Sequence, residues 1–487
     1  MSLKNNLLIF VALFLFAISS CKKDDSPSID SKNYPEDIGE IMLNKCATAG
    51  CHNDISAAGA AGLSMTRWDK LFEGSRGGSP VIPYRADQSF MMFFLNTDPN
   101  QGIVLEPTMP FNASPLSQEE YVTIENWITN GAPNKDGKVK FADDVNRRKF
   151  YVTNQGCDMV SVFDAETKTL MRYIDVGSSS NIESPHQVKV SPDGKYWYTV
   201  FFAGSTIQKY DAIDDSFVSE ADIGEGSWNT FRISPDGKTA YVIDWAPSGS
   251  IAIVDLENMQ LIKKYAGSGV FELPHGSMIN EANNTLYVTA QHGNFIYKID
   301  ISDIENPNIE KISLNDNSPT TISWLNPHEL EMTPDESKYF VTCEESNDVR
   351  IMSTEADTLL GVIPTGEFPQ EMSMSKTNPY LFVTCTDDLT TYSGKIGSVH
   401  IIDYTSNTLI KTIHTGFQPH GIAVDDVQNL VYVSHRNINS NGPAPHHSTD
   451  CAGRNGYVTI IDMNTLELVE DYKVEISVDP YSVAIRN

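Results

Sequence analysis

The chain has 487 residues, 40% of them hydrophobic and 20% charged, with a net charge of −29 and a pI near 4.6. That length accommodates two or three domains with full cores. The acidity excludes nucleic acid as a partner, since nothing here would neutralise phosphates, and disfavours an anionic membrane surface. It is compatible with a basic redox partner protein.

Lys4 precedes an apolar run from Leu7 to Ile18. About twelve residues are too few for the ~20 that span a bilayer, and they suit the hydrophobic region of an export signal. The run ends in Ile18-Ser19-Ser20-Cys21, which resembles a bacterial lipobox. That resemblance implies a signal peptide over 1–20, a lipid chain on Cys21 and a lipid-anchored protein. Lys22-Lys23-Asp24-Asp25 resembles the tag that carries Bacteroidetes lipoproteins through the outer membrane to the cell surface. An ordinary secretory signal with an incidental cysteine is the competing reading. Residues 21–34, polar and rich in Ser, Pro and Asp, read as a flexible tether.

Next comes Cys46-Ala47-Thr48-Ala49-Gly50-Cys51-His52. Two cysteines followed at once by a histidine can hold a covalent haem c, with both thiols on the vinyl groups and the imidazole on iron. The common spacing has two residues between the cysteines, and here there are four. A Cys46–Cys51 disulfide, or a zinc site using Cys46, Cys51 and His52, therefore stays open on these residues alone. Ile38, Ile41 and Met42 predict a helix leading into Cys46, and Ser117 with Glu120 forms a capping box. From that box, Tyr121, Ile124, Trp127 and Ile128 share one helical face until Gly131 and Pro133 stop the helix. Between the helices, Thr108-Met109-Pro110 lies in a loop and can offer a thioether to the sixth position of an iron. Met65, Met91 and Met92 are its rivals.

The ordered set of Cys46…His52, Val81-Ile82-Pro83…Ser89-Phe90, Met109-Pro110 and Trp127-Ile128-Thr129-Asn130-Gly131-Ala132 resembles the planctomycete-type cytochrome c domain. The resemblance covers about residues 35–137. It implies a small α-helical haem domain in which Cys46, Cys51, His52 and Met109 bind the cofactor and His52 and Met109 ligate its iron.

Residues 138–148 read as a linker, and from 149 the texture changes. Short β-rich runs recur, as in Tyr151-Val152-Thr153-Asn154, Leu286-Tyr287-Val288-Thr289 and Val431-Tyr432-Val433-Ser434, and several repeats carry turns such as Ser191-Pro192-Asp193-Gly194 and Ser234-Pro235-Asp236-Gly237. Repeats of strands at a period of about 40–50 residues predict a β-propeller. Pro185-His186, Trp228-Asn229, Pro274-His275, Pro327-His328, Pro369-Gln370, Pro419-His420 and Pro480-Tyr481 each open an innermost strand, giving seven blades. The repeat beginning at Phe150 lacks an inner strand, so the C-terminal strand is expected to complete it and close the ring. These motifs resemble the YVTN family of seven-bladed propellers over about 149–487. The fold class expected is an all-β propeller with a small N-terminal α-helical cytochrome c-like domain; the propeller itself implies no activity.

Histidines concentrate at one end of this ring. His186, His275, His328 and His420 open inner strands, while His292, His435, His446 and His447 belong to loops between second and third strands. Imidazoles in this number point to a second metal site, copper or zinc, though a Pro-His turn inherited by every repeat explains the first four equally well. Nitrous oxide reductase likewise places propeller histidines around copper, but Asn229, Gln370 and Tyr481 stand at three of the seven equivalent positions here. Cys157 and Cys451 fall in equivalent loops of blades that ring closure makes neighbours, so a disulfide between them and two free thiols are both open, and the sequence does not fix the state of Cys343 and Cys385. The function expected is exported electron transfer through one haem. A metal-dependent oxidoreductase on the histidine face and a non-catalytic binding module are the alternatives.

Overall fold

Alternating β-branched and aromatic residues from Lys149 onwards form seven antiparallel sheets, each ordered inner, second, third, outer. The computed structural model describes residues 31–267, 269–438, 451 and 455–487. Cys21, His446 and His447, and with them the export and lipid-anchor expectations, lie outside the described residues. Among the described residues no helix is long and apolar enough to cross a membrane.

The seven inner strands are Pro480–Arg486, Pro185–Val190, Trp228–Ile233, Pro274–Ile279, Pro327–Met332, Pro369–Met374 and Pro419–Asp425. Each touches the next around a ring, and Pro480–Arg486 touches both Pro185–Val190 and Pro419–Asp425. The expected closure is present: Lys149, Phe150, Tyr151 and Val152 of the first blade pair with Arg486, Ile485, Ala484 and Val483. No sheet edge in that blade is left to recruit another chain at the ring's inner side. The seventh blade has its outer position shared by two short strands, Glu467–Leu468 and Val474–Ile476, both on Gly456–Asp462.

Side-chain hydroxyls explain why the Tyr-Val-Thr runs repeat. Thr153, Thr289, Thr342, Thr384 and Ser434 donate from the second strand of one blade to the carbonyls of His186, His328, Gln370, His420 and Tyr481 in the next. Each such bond fixes a neighbouring inner strand at its first turn, where side chains enter the channel. Gly276 and Gly421 allow the same close approach. A Cβ on either would stand 2.2 Å from the carbonyl oxygen of His328 or Tyr481.

Residues before 149 form a separate helical unit. Its core gathers Ile38, Met42, Leu71, Val81, Ile124 and Ile128, all nearly inaccessible to solvent. The capping box is formed, with Ser117 Oγ accepting from Glu120 N and Glu120 accepting from Ser117 N, and the helix Gln118–Thr129 ends at Gly131 with φ 96°. This unit packs on the seam between the first and seventh blades. Ser79 Oγ donates to Leu170 O (2.7 Å), Arg85 pairs with Asp175 (2.9 Å), and Glu475 N donates to Gly77 O (3.2 Å). Met171 of the first blade joins the helical core, and Ile82 of the helical unit joins the core between those blades.

Candidate functional site

The helix Glu36–Ile41 continues as one wider turn, Met42–Cys46, so Cys46 leaves from a helix end. Lys45 secures that end by donating to Glu120 (2.7 Å), the same carboxylate that completes the capping box. The lysine and the two backbone and hydroxyl donors of Ser117 hold Glu120 below the usual carboxylate range, Lys45 most. The chain then doubles back. Ala47 N donates to Met42 O, Cys51 N to Thr48 O, and His52 N to Cys46 O at 3.1 Å. Asn53 locks the exit by accepting from Ile55 N and Ser56 N and donating to Thr48 O. Cys46, Cys51 and His52 are thereby carried on one short loop.

That loop forms a wall of a largely apolar cavity of about 440 Å³, a volume typical of ligand pockets. Leu63, Phe90, Phe94 and Leu95 line the same cavity, and so does Met109 with Pro107, Pro110 and Phe111. Met109 is half-buried, and its amide donates to Phe94 O (2.7 Å). Met65 and Met91 also line the cavity, whereas Met92 is buried in the helical core. Cys46 and Cys51 are both free thiols. Burial, then the nearby Cys51, pushes the Cys46 thiol up to about 12. His52 Nδ1 is buried and makes no hydrogen bond, and burial lowers the pKa of its ring against a smaller opposing effect of the Leu63 backbone.

A second concentration of polar groups occupies one end of the propeller channel. The rings of His275 and His328 lie 3.9 Å apart, His328 and His420 6.4 Å, His420 and Tyr481 3.8 Å, and Tyr481 and His186 4.2 Å. All four histidines are buried, and burial pushes each pKa well down, that of His328 to about 3. Glu344 stands 3.5 Å from His328 Nε2 and accepts from Gln370, Gln291 and Asn326 at 2.7–3.1 Å. Farther along the same strands Arg232 meets Glu329 (3.2 Å) and Glu331 (3.8 Å), with Lys189 and Glu371 close by.

Not every histidine expected at this end belongs to the cluster. His435 turns in between strands, its ring stacked on Tyr457 (4.5 Å) and Nε2 bonded to Thr459 Oγ1 (2.9 Å). His292 is exposed, with positive φ of 67°. Among the described residues no three His, Cys, Asp or Glu side chains group closely enough to hold a metal ion. Cys157 and Cys451 are joined in a disulfide with Cα atoms 5.2 Å apart, while Cys343 and Cys385 are buried free thiols. Glu344 and the channel charges were not among the residues expected from the sequence. The channel charges had a signal, an ionisable residue one or three positions after the second residue of an opening pair, as in His328-Glu329 and Gln370-Glu371, whereas Glu344, just past the strand Lys338–Cys343, had none.

No protein-family model and no curated protein matches the chain. Among solved structures, a functionally unknown protein from Desulfotomaculum acetoxidans is 15% identical with a TM-score of 0.53, covering 69% of this chain and 98% of its own. Kuenenia stuttgartiensis hydrazine synthase is 19% identical with a TM-score of 0.49, covering 64% and 93%. The first shares the fold alone, and the second falls below the similarity at which even fold carries weight. The molecule is a seven-bladed β-propeller with a helical unit on its closing seam.

Proposed function

We propose that the protein is an exported, lipid-anchored electron carrier that binds one haem c in the cavity of the helical unit. The observation that carries this reading is the convergence of Cys46, Cys51, His52 and Met109 on one apolar cavity, with both thiols unpaired in a chain that oxidises Cys157 and Cys451. A disulfide across Cys46 and Cys51 is not formed, and a zinc site would lack a fourth ligand among the described groups.

The residues fit the group in kind: two thiols, one imidazole, a thioether and apolar walls. Cys46 and Cys51 would hold it covalently, His52 would ligate from the same loop, and Met109 would ligate from the loop beyond Phe94. When bound, haem would supply one-electron chemistry, with its potential set by ligation from His52 and Met109 and by burial. Phe90, Phe94 and Leu95 exclude water from the cavity, and the Lys45–Glu120 pair keeps the Cys46 loop at a fixed distance from the last helix. The propeller in this reading is a docking surface or carries a second redox site. Cys21 supplies the anchor.

Expression with a c-type maturation system tests the proposal. Wild type should keep a haemochrome band after denaturation, and Cys46→Ala with Cys51→Ala should lose it. Met109→Ala should retain covalent haem and shift its potential or ligand-field spectrum. In the same cells Cys21→Ala should move the protein from the membrane to the soluble fraction. Covalent haem in the double cysteine variant, or none in matured wild type, rules the reading out.

A further inference from the structure

The charged residues deeper in the propeller channel carry an arrangement that the haem reading does not use. Lys189 comes from the second blade and Arg232 from the third, while Glu329 and Glu331 come from the fifth and Glu371 from the sixth. Lys189 feels the charges of Arg232, Glu329, Glu371 and Glu331, so groups from opposite sides of the ring meet across the channel. Exposure rises along these strands. His186, Asn229 and His328 at the strand openings are buried, whereas Lys189, Arg232 and Glu331, three positions on, are half-buried, as is Glu371. The shared space is therefore a cup. Its floor is the layer of His186, His328, His420 and Tyr481, and it opens at the opposite end of the channel.

Arg232 is already engaged: its Nε donates to Ser277 O, and its guanidinium pairs with Glu329 and Glu331. Lys189 and Glu371 are not. Neither side chain makes a direct hydrogen bond or ion pair with another described residue. Burial is the largest influence on both, pushing the Lys189 ammonium down and the Glu371 carboxyl up. Each charged form therefore lacks the solvation it would have in water, and a counter-charge brought into the cup would restore it. Ser277 Oγ and Asn229 Nδ2 are also buried with no partner. Two opposite charges in one cup, poorly solvated and not touching, match a ligand that carries both. We propose that the cup binds one small zwitterion, an α-amino acid or its β- or γ-amino homologue, with its carboxylate on Lys189 and its ammonium on Glu371. A ligand with a single charge would satisfy one of these groups and leave the other unpaired.

The cup is separate from the haem cavity, so the test is run on full-length protein made both with and without c-type maturation. Isothermal titration at neutral pH with the common α-amino acids, β-alanine and γ-aminobutyrate should find a zwitterion that binds with a Kd below ~1 mM. Acetate and methylamine should bind at least ~10-fold more weakly, since each makes only one of the two charge-assisted contacts. Lys189→Met and Glu371→Gln should each weaken zwitterion binding at least ~10-fold, and His292→Gln, on an exposed loop, should leave it unchanged. Either single variant leaves one charge unmatched, so the deciding variant is Lys189→Met with Glu371→Gln, which removes both together. It should fold and bind no zwitterion. Absence of binding across the whole panel in folded wild type overturns the site. So does equal affinity for acetate or methylamine, or undiminished binding in the folded double variant. If the double variant does not fold, the wild-type preference for zwitterions over acetate and methylamine decides.

Discussion

His435 packs its ring on Tyr457, offers one nitrogen to Thr459 and leaves Nδ1 buried without a partner. Burial pushes its pKa down to about 3, helped by the nearby charges of His414 and Lys473. The unfolded chain titrates that imidazole near 6.5, so between about pH 6.5 and 3 the unfolded state takes up a proton that the folded state refuses. Stability from this group is therefore complete above pH 6.5 and falls as the solution is acidified through that window. The slope for one histidine is at most about 1.4 kcal/mol per pH unit. His435→Gln removes the titration while keeping polar atoms. Urea unfolding of the variant should lose about 1–2 kcal/mol less than wild type between pH 7.5 and pH 5, where carboxylates contribute least. Equal losses in both proteins would show that His435 protonates freely when folded. Its placement was readable from alternation along its strand: His435 falls in phase with Val431 and Val433, which pack toward the sixth blade. Position in a loop-end motif pointed instead to the channel, and strand phase won.

At the scale of elements, the inner strand Pro480–Arg486 is the one part of the first blade that comes from the far end of the chain. It pairs with Lys149–Asn154, touches the inner strands on both sides, and supplies Tyr481 to the ring of imidazoles. Deleting 480–487 would leave Val152 and Tyr151 facing water and reopen a sheet edge. The truncated protein should melt well below wild type in circular dichroism and expose apolar surface to a fluorescent dye. A truncated protein with the wild-type melting temperature would mean that the ring closes another way. This strand was legible because its repeat lacked a partner at one end and the first repeat lacked one at the other. Turn chemistry was legible too: Gly194 N returns to Ser191 O, with Ser191 Oγ on Asp193. The threonine bonds between blades were not, because a hydroxyl one strand away from its acceptor in the next blade leaves no pattern within its own repeat. For the helical unit, helix ends, capping box and the spacing of Cys46, Cys51 and His52 were legible. Which methionine faces the cavity was not, since Met65, Met91 and Met109 all reach it from different segments.

For the whole molecule, the seam between the first and seventh blades is where the chain's two halves are held together. Phe150 stacks between Phe163 (4.3 Å) and Tyr432 (4.0 Å) across it, and the helical unit covers its outer side. The Cys157–Cys451 disulfide bridges the same seam over a sequence separation of 294 residues. Gln88 of the helical unit and Ser477 of the seventh blade both donate to Cys451 O (3.2 and 2.9 Å), so the bridge also ties the helical unit to the ring. A cross-link over so long a loop restricts the unfolded chain strongly, and removing one in a folded domain costs about 2–5 kcal/mol. The strand closure has no counterpart in the unfolded state and so does not diminish that effect. Cys157→Ser with Cys451→Ser should therefore lower the urea midpoint by an amount corresponding to about 2–5 kcal/mol while preserving the fold. Reductant should lower the wild-type midpoint to the same value and leave the double variant unmoved. Equal midpoints for oxidised wild type and the variant would show that the seam is held by strand pairing and aromatic packing alone.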